Sequence, residues 1–139
     1  MYHQRDVNLK GMEIEESTDC LLSDFEVLEL LKKTRAHRNI APEFADLNTV
    51  ETEVLKYLEN KPAASQTHED VDKFMNSPIT SKFELTEAEV LQLLNWRPTS
   101  TLELVLYVSD LETRFTAEQQ QEMLKLIKEL LPPPPAPEE

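Results

Sequence analysis

Glycine is almost absent from this sequence, and its scarcity excludes a whole class of nucleotide-binding site. Gly11 is the single glycine among 139 residues. Phosphate-binding loops of the P-loop and dinucleotide types need several glycines at fixed spacing, because the backbone there must approach the phosphates closely. The sequence therefore holds neither kind of loop.

Residues that commonly ligate metals or act as nucleophiles are also few. The single cysteine, Cys20, cannot form an internal disulfide, which fits a reducing compartment. His3, His37 and His68 stand at unrelated spacings. The acidic pairs each fall where a predicted helix N-terminus or a solvated helix face explains them. We therefore predict no catalytic residue, no metal site and no cofactor.

Basic residues are outnumbered, and long apolar runs are missing. The chain has 14 basic and 27 acidic residues and a formal charge of -13, so most of its surface should repel nucleic-acid phosphates. The basic run Lys32 to Arg38 lies at a predicted helix C-terminus, where cations are favourable; a nucleic-acid or acidic-partner patch is the alternative. No apolar run approaches the roughly 20 residues of a membrane span, and the N-terminus lacks a signal-peptide core. We expect an intracellular protein without membrane insertion.

What the sequence does contain is a series of helix signals, which begin after an extended N-terminal region. We predict that residues 1–11 are a disordered extension and that 12–22 form an extended arm or strand. Helices are predicted over 24–38, over 48–60 with Asn48 as its cap, and from 67 until Pro78 closes the third. Their predicted apolar positions are Phe25, Val27, Leu28, Leu31, Val50, Val54, Leu55, Leu58, Val71, Phe74 and Met75.

Helix signals are strongest in the last third of the chain. A serine or threonine precedes Glu or Gln by three residues at Thr86, Ser100 and Thr116, which is the spacing of a capping box. Ser23 and Glu26 show the same spacing before the first helix. We predict helices over 87–96, 101–114 and 117–131, followed by a disordered proline-rich tail over 132–139.

The stretch LLNWRPTSTLEL, residues 93–104, predicts a tight corner between two helices. Pro98 should stop the first helix because a proline disfavours the helical conformation of the residue before it. Asn95 suits a helix end, and Trp96 and Arg97 should project from the turn. Trp96 is either tucked between two lobes or an anchor for a partner.

These patterns predict a mainly α protein that depends on a partner. We divide it into an arm and partner-binding helical lobe at 12–80 and a second helical lobe at 81–131. A three-helix lobe of this size buries little apolar surface, and no disulfide or metal compensates. The arm has no second strand in the chain to pair with, so the sheet edge of another protein would satisfy its backbone groups.

Two blocks of the sequence carry a family resemblance, MEIEESTDCLLSDFEVLELL and FELTEAEVLQLLNWRPTSTLELVLYVSDLETRF. They resemble the eukaryotic and archaeal small stalk subunits of RNA polymerase, in particular the RNA polymerase III members, which are also described as the calcitonin gene-related peptide receptor component family. The residues that match the family pattern are Leu85, Thr86, Glu89, Leu91, Leu94, Asn95, Pro98, Glu103, Arg114 and Phe115.

The resemblance implies a non-catalytic nuclear subunit whose C-terminal lobe has the helicase-and-RNase-D-C-terminal (HRDC)-like fold. It implies pairing with the larger stalk subunit, which bears an oligonucleotide-binding barrel, and contacts with the polymerase III core and initiation factors. RNA contact would fall mainly to the partner. The predicted partner-binding residues are Ile14, Leu21, Leu22, Phe25, Leu28, Leu94, Asn95, Trp96, Pro98 and Leu102.

Two alternatives to a polymerase subunit remain at this point. One is a signalling adaptor of a peptide-hormone receptor, although the sequence has no lipidation motif or basic amphipathic helix. The other is a helicase-associated nucleic-acid-binding domain, which would need a basic face across the last helices. From Glu84 to Leu131 acidic residues instead outnumber basic ones.

Overall fold

The computed structural model describes residues 20–37 and 45–136, and these are mainly helical. They form eight α-helices and one 3-10 turn, with no strand in the described ranges, which confirms the prediction of a mainly α protein. The helices are α1 (Asp24–His37), α2 (Ala45–Glu59), α3 (His68–Met75), α4 (Pro78–Lys82), α5 (Glu87–Trp96), α6 (Thr101–Tyr107), α7 (Leu111–Arg114) and α8 (Ala117–Leu130), and the 3-10 turn is Pro62–Ala64.

The predicted N-terminal extension and residues 12–19 of the predicted arm lie outside the described residues, as do 137–139 of the tail. Residues 132–136 of the tail are described and are not helical. This agrees with the prediction that the prolines end the last helix, because proline lacks the amide hydrogen that a helix interior needs.

A small hydrophobic cluster joins the first two helices. Its buried side chains are Phe25 and Leu28 from α1, Leu55 and Leu58 from α2, and Ala63 from the 3-10 turn. The spacings of three residues within each helix place each pair on one face. A cluster of five buried residues is small for independent stability, so α1 and α2 depend on contacts with the rest of the chain.

The larger core lies among α3 to α8. Helices α3 and α4, which the sequence analysis grouped with the first lobe, contribute Phe74 and Ile79 to it. Its remaining buried residues are Phe83, Val90, Leu93, Leu94, Leu104, Val108, Leu111, Phe115, Met123, Leu124, Ile127 and Leu131. Lys82 and Glu122 form an ion pair that holds α4 against α8, with Nζ to Oε1 at 2.5 Å.

The two clusters meet along the segment between the 3-10 turn and α3. Val71 packs against both of them. The buried Gln66 donates from Nε2 to the carbonyl oxygen of Leu94 at 2.8 Å, which ties this segment to the end of α5. The His68 ring meets the Phe25 ring edge-on, with centroids 5.0 Å apart. Polar and aromatic contacts therefore supplement the apolar ones at the junction.

Capping predictions are largely confirmed. Reciprocal boxes form at Thr86 with Glu89 and at Thr116 with Gln119. Ser100 caps α6 as predicted, but the Glu103 carboxylate accepts from the backbone and the hydroxyl of Thr99. A box that the sequence analysis did not pair as such forms between Thr67 and Asp70.

The predicted start of the second helix is wrong. α2 begins at Ala45, so Asn48 lies inside it, and its carbonyl oxygen accepts from the Thr52 hydroxyl. Asp46 lies in the first turn instead, where its charge is favourable to the helix dipole. Val50, predicted to be buried, is exposed.

The single helix predicted over 101–114 is divided in two. α6 ends at Tyr107, and Asp110 adopts a left-handed backbone conformation, with φ of 51°, before α7. Aspartate tolerates this conformation better than most residues, because its short polar side chain can bond locally. The predicted apolar positions Leu104, Val108 and Leu111 are nevertheless all buried.

Two predictions about the third helix need correction. Met75 was predicted to be buried but is exposed. Pro78 does more than end the preceding helix, because it occupies the first turn of α4, where proline's missing amide hydrogen costs nothing. The Ser77 hydroxyl accepts from the backbone of Ile79 there.

Candidate functional site

The predicted partner-binding residues divide into buried and accessible groups. Phe25, Leu28, Leu94 and Pro98 are buried within the chain. Asn95 is partly buried, whereas Leu21, Leu22, Trp96 and Leu102 are exposed. Ile14 lies outside the described residues. Binding through all ten stays a prediction, and the exposed members have side-chain surface available for it.

One accessible surface surrounds the start of α1, and we call it the α1 face, defined by Leu21, Leu22 and Leu30. Leu22 and Leu30 line a shallow groove of about 250 Å³, with Glu29 and Lys33 beside them. Leu22 precedes α1 and Leu30 lies within it, and both side chains border the same groove. Leu21 and Leu22 also belong to the predicted arm.

The N-terminus of α1 is held from two directions. The Ser23 backbone donates to Glu26 Oε2 at 2.7 Å, and the Ser23 Oγ accepts from the Glu26 backbone at 3.3 Å, which confirms the predicted capping box. The Asp24 backbone N–H donates to Asn95 Oδ1 of α5 at 2.9 Å. Asn95, predicted to close its own helix, thus caps another one and fixes α1 against the larger core.

Loss of the Asn95 side-chain oxygen should loosen α1 without unfolding the chain. We expect Asn95→Ala to lower the free energy of unfolding by about 1 kcal/mol, the usual effect of losing a helix cap. Hydrogen exchange at the first-turn amides of α1 should also accelerate. Gln92→Ala, at an exposed position of the same helix, is the control and should change neither quantity. Equal effects of both substitutions would contradict the capping role.

Arg97 was predicted to project from the turn after α5. In the structure it instead holds this corner in place. Arg97 has a left-handed backbone conformation, with φ of 47°, and this turns the chain before the buried Pro98. The Arg97 Nε donates to the carbonyl oxygen of Leu131 at 2.9 Å. The corner is therefore fixed to the end of α8.

Trp96 takes part in a row of stacked groups with Tyr107, Lys61 and Tyr57. Its ring lies parallel to that of Tyr107, with centroids 5.9 Å apart. The Lys61 Nζ lies 4.9 Å from the Trp96 centroid and 4.6 Å from the Tyr57 centroid. The Trp96 side chain still has 38% of its surface exposed, and its role as a partner anchor stays a prediction.

Glu89 joins three segments of the larger core, a role that the sequence analysis did not assign to it. Its Oε1 accepts from Arg114 Nη1 at 2.6 Å and from the Ser109 backbone at 2.9 Å. Its Oε2 accepts from the Thr86 backbone at 2.9 Å. Burial raises the pKa of Glu89, but the hydrogen bonds from Arg114, Thr86 and Ser109 together outweigh it and hold that pKa below its usual value.

A second accessible surface lies on α6, and we call it the α6 face, defined by Leu102, Val105 and Leu106. Their exposed fractions are 82%, 51% and 74%. The sequence analysis identified Leu102 alone. The spacing of three and four residues was a signal that could have revealed the other two.

Neither a metal-binding cluster nor a membrane-spanning helix is found in the part of the chain that the structure describes. No group of three or more His, Cys, Asp or Glu side chains there could hold a metal ion. None of the helices within residues 20–37 and 45–136 is long and apolar enough to cross a membrane. Exposed apolar faces are the features that most need a functional explanation.

Comparisons with known proteins point to one family. The family model described as RNA polymerase Rpb4 matches residues 21–131. A protein of Dictyostelium discoideum named DNA-directed RNA polymerase III subunit rpc9 is 36% identical over 122 residues, which cover 85% of this chain and 88% of that protein. A protein of the same name from Schizosaccharomyces pombe is 28% identical over 129 residues, covering 86% and 96%.

Proposed function

The chain belongs to the RNA polymerase Rpb4 family, and we propose that it is the small stalk subunit of RNA polymerase III. The family match spans every helix that the structure describes, from α1 to α8. Both similar proteins carry the name of an RNA polymerase III subunit. In this role the chain contributes binding surfaces, and polymerisation chemistry belongs to other subunits.

The partner in the stalk is the larger subunit with the oligonucleotide-binding barrel. The observation that carries this pairing is the α1 face, where Leu21, Leu22 and Leu30 expose apolar surface beside the segment predicted to be an extended arm. Leucines exposed near one another favour a protein contact, because covering them removes apolar surface from water. The arm would add a strand to a sheet of the larger subunit and place the α1 face against it.

The C-terminal part, residues 81–131, is the HRDC-like lobe of this proposal. Its acidic charge supports the view that RNA contact falls mainly to the larger subunit, since a phosphate backbone is repelled by an acidic surface. The lobe then serves as a surface for initiation factors or for the polymerase core. A subunit of RNA polymerase III acts in the nucleus, and this location is part of the proposal.

Co-expression tests the pairing directly. We expect the tagged chain to form a stoichiometric complex with the larger stalk subunit. Replacing Leu22 and Leu30 together with serine should weaken that complex about ten- to hundredfold, since each half-exposed leucine contributes about 0.7–1.4 kcal/mol when covered. Titration of the purified subunits with calorimetric detection would measure this loss.

The matched control changes two leucines of the α6 face. Leu102→Ser with Leu106→Ser removes more exposed apolar surface than the first double variant and should still leave the affinity for the larger stalk subunit unchanged. If the wild-type chain does not bind that subunit, the proposed function is wrong. If both double variants bind it as tightly as the wild type, the assignment of the α1 face is wrong.

A further inference from the structure

The α6 face exposes far more apolar surface than its helix needs for folding. α6 has seven residues, of which the inward Leu104 is completely buried, and Val108 continues the same buried row. Leu102 and Leu106 are exposed by 82% and 74% and add little to this core. Single exposed leucines are common on protein surfaces. Three apolar side chains on adjacent turns instead form a contiguous apolar patch, whose exposure to water is unfavourable.

A groove continues this patch toward α5. It has a volume of about 530 Å³ and is lined by Leu106, Trp96 and Tyr107 among others. The parallel stacking of Trp96 on Tyr107 holds both rings in place, so a ligand would not have to order them. A ridge of leucines beside a groove with two fixed aromatic rings suits an inserted helix better than a flat surface would.

The charges along α6 are of one sign. Between Thr101 and Glu112 the sequence contains Glu103, Asp110 and Glu112 and no lysine or arginine. Hydrogen bonds from the Thr99 backbone and hydroxyl lower the pKa of Glu103, so its carboxylate stays ionised near neutral pH. Two cations lie near the groove: Arg114 pairs with Glu89, and the Lys61 Nζ lies 4.9 Å from the Trp96 centroid. On α6 itself the charged residue is the acidic Glu103.

We propose that the α6 face and its groove bind an amphipathic helix of another protein, whose apolar side meets Leu102, Val105 and Leu106 and whose flanks carry lysine or arginine. The charge pattern favours this occupant over a second copy of the chain, because two copies of net charge -13 repel one another. The site is separate from the α1 face, so the inference does not depend on the proposed stalk pairing.

A synthetic peptide tests the chemistry of this site. The probe is an amphipathic helix of about 18 residues with leucine on one side and lysine on the other. Its comparison peptides have glutamate in place of lysine, or the same composition in scrambled order. We expect the lysine peptide to bind the wild-type chain at least about tenfold more tightly than either comparison peptide, with backbone amide NMR shifts concentrated at Trp96 and along α6.

Neutral substitutions then locate the site. Leu102→Ser with Leu106→Ser should reduce the peptide affinity at least about tenfold, and Leu22→Ser with Leu30→Ser should leave it unchanged. Glu103→Gln should weaken binding less and reduce its dependence on salt. Serine leaves the net charge unaltered, so any loss reports on the apolar contact.

Three results would overturn the proposal. The first is equal binding of the lysine and glutamate peptides, and the second is a set of NMR shifts centred on α1 or α2. The third is loss of the larger stalk subunit from the Leu102→Ser, Leu106→Ser variant, which would make the α6 face part of the stalk interface. The last result would leave the proposed function standing and remove only this inference.

Discussion

Replacement of Glu89 by alanine is expected to lower the free energy of unfolding by about 2 kcal/mol, because one buried carboxylate accepts hydrogen bonds from Arg114 and from two backbone amides. Glu89 is almost fully buried, and Arg114 is only partly exposed. Removing the carboxylate leaves Arg114 and the backbone N–H groups of Thr86 and Ser109 without the acceptor that they share. Thr86 and Ser109 are exposed residues and Arg114 is partly exposed, so water replaces part of what each donor loses, and the total stays below the cost of breaking a fully buried ion pair.

Glu87→Ala provides the matched control for this substitution. Glu87 lies two residues earlier, in the first turn of α5, and it is exposed. Its removal should cost about 0.5 kcal/mol through the helix dipole alone. Urea unfolding followed by circular dichroism would measure both variants. Equal losses would contradict the assignment of Glu89 as the junction of α5, the loop before α7, and α7.

The lowered pKa of Glu89 also gives the stability a predictable pH dependence. The native pKa lies below the unfolded value near 4.5, so the contribution of Glu89 is fully present above that pH. It is lost as the pH falls below 4.5 through the native pKa, because protonation removes the charge that Arg114 pairs with. The difference in unfolding free energy between the wild type and Glu89→Gln should therefore shrink over this interval. A constant difference would argue against ionic pairing.

Local signals in the sequence predicted the C-terminal helices well because capping and apolar spacing are short-range properties. Thr86 and Glu89 are three residues apart, and their box forms as predicted. The predicted start of α2 was wrong because it also used a short-range signal. Asn48 has the side chain of a helix cap, but nothing in the sequence before it prevents the helix from beginning earlier, at Ala45. Single-sequence signals thus locate a helix better than they locate its first residue.

Contacts between distant parts of the chain were beyond these signals. Asn95 bonds to the backbone of Asp24, which is 71 positions away, and Arg114 reaches Glu89 across 25 positions. Neither pairing leaves a periodic trace in the sequence. The break at Asp110 has the same origin, because the Ser109 backbone donates to Glu89 in place of a helical acceptor. The family pattern included Glu89, Asn95 and Arg114, although it did not say what they contact.

The candidate surfaces were partly predictable for a related reason. Leu21 and Leu22 stand in a segment without helical periodicity, so the sequence could mark them as available for a partner. Apolar spacing alone could not tell that Phe25, Leu28 and Leu94 are buried within the chain. Apolar residues that face a partner recur at the same helical spacing as those that face the core. Which side faces the core is decided by tertiary packing.

Replacement of Phe74 by alanine should have the largest effect on stability, about 3–5 kcal/mol. The Phe74 ring is completely buried, while the adjacent Met75 has 44% of its surface exposed. The sequence predicted that both residues are buried, and the structure shows that only Phe74 is. Comparing the two substitutions therefore tests the burial seen in the structure. Alanine at position 74 leaves a cavity where α3 packs against α5 and α8. Met75→Ala removes a side chain that already meets water and should cost about 0.5 kcal/mol or less.

Hydrogen exchange distinguishes this explanation from a local effect on α3. Phe74 belongs to the larger core, so its loss should increase exchange across α5 and α8 as well as within α3. Comparable losses from Phe74→Ala and Met75→Ala in urea unfolding would show that α3 does not pack as described. An increase confined to α3 would mean that the helix is peripheral to the core. Increased exchange in all three helices would show that α3 supports the lobe that carries the α6 face.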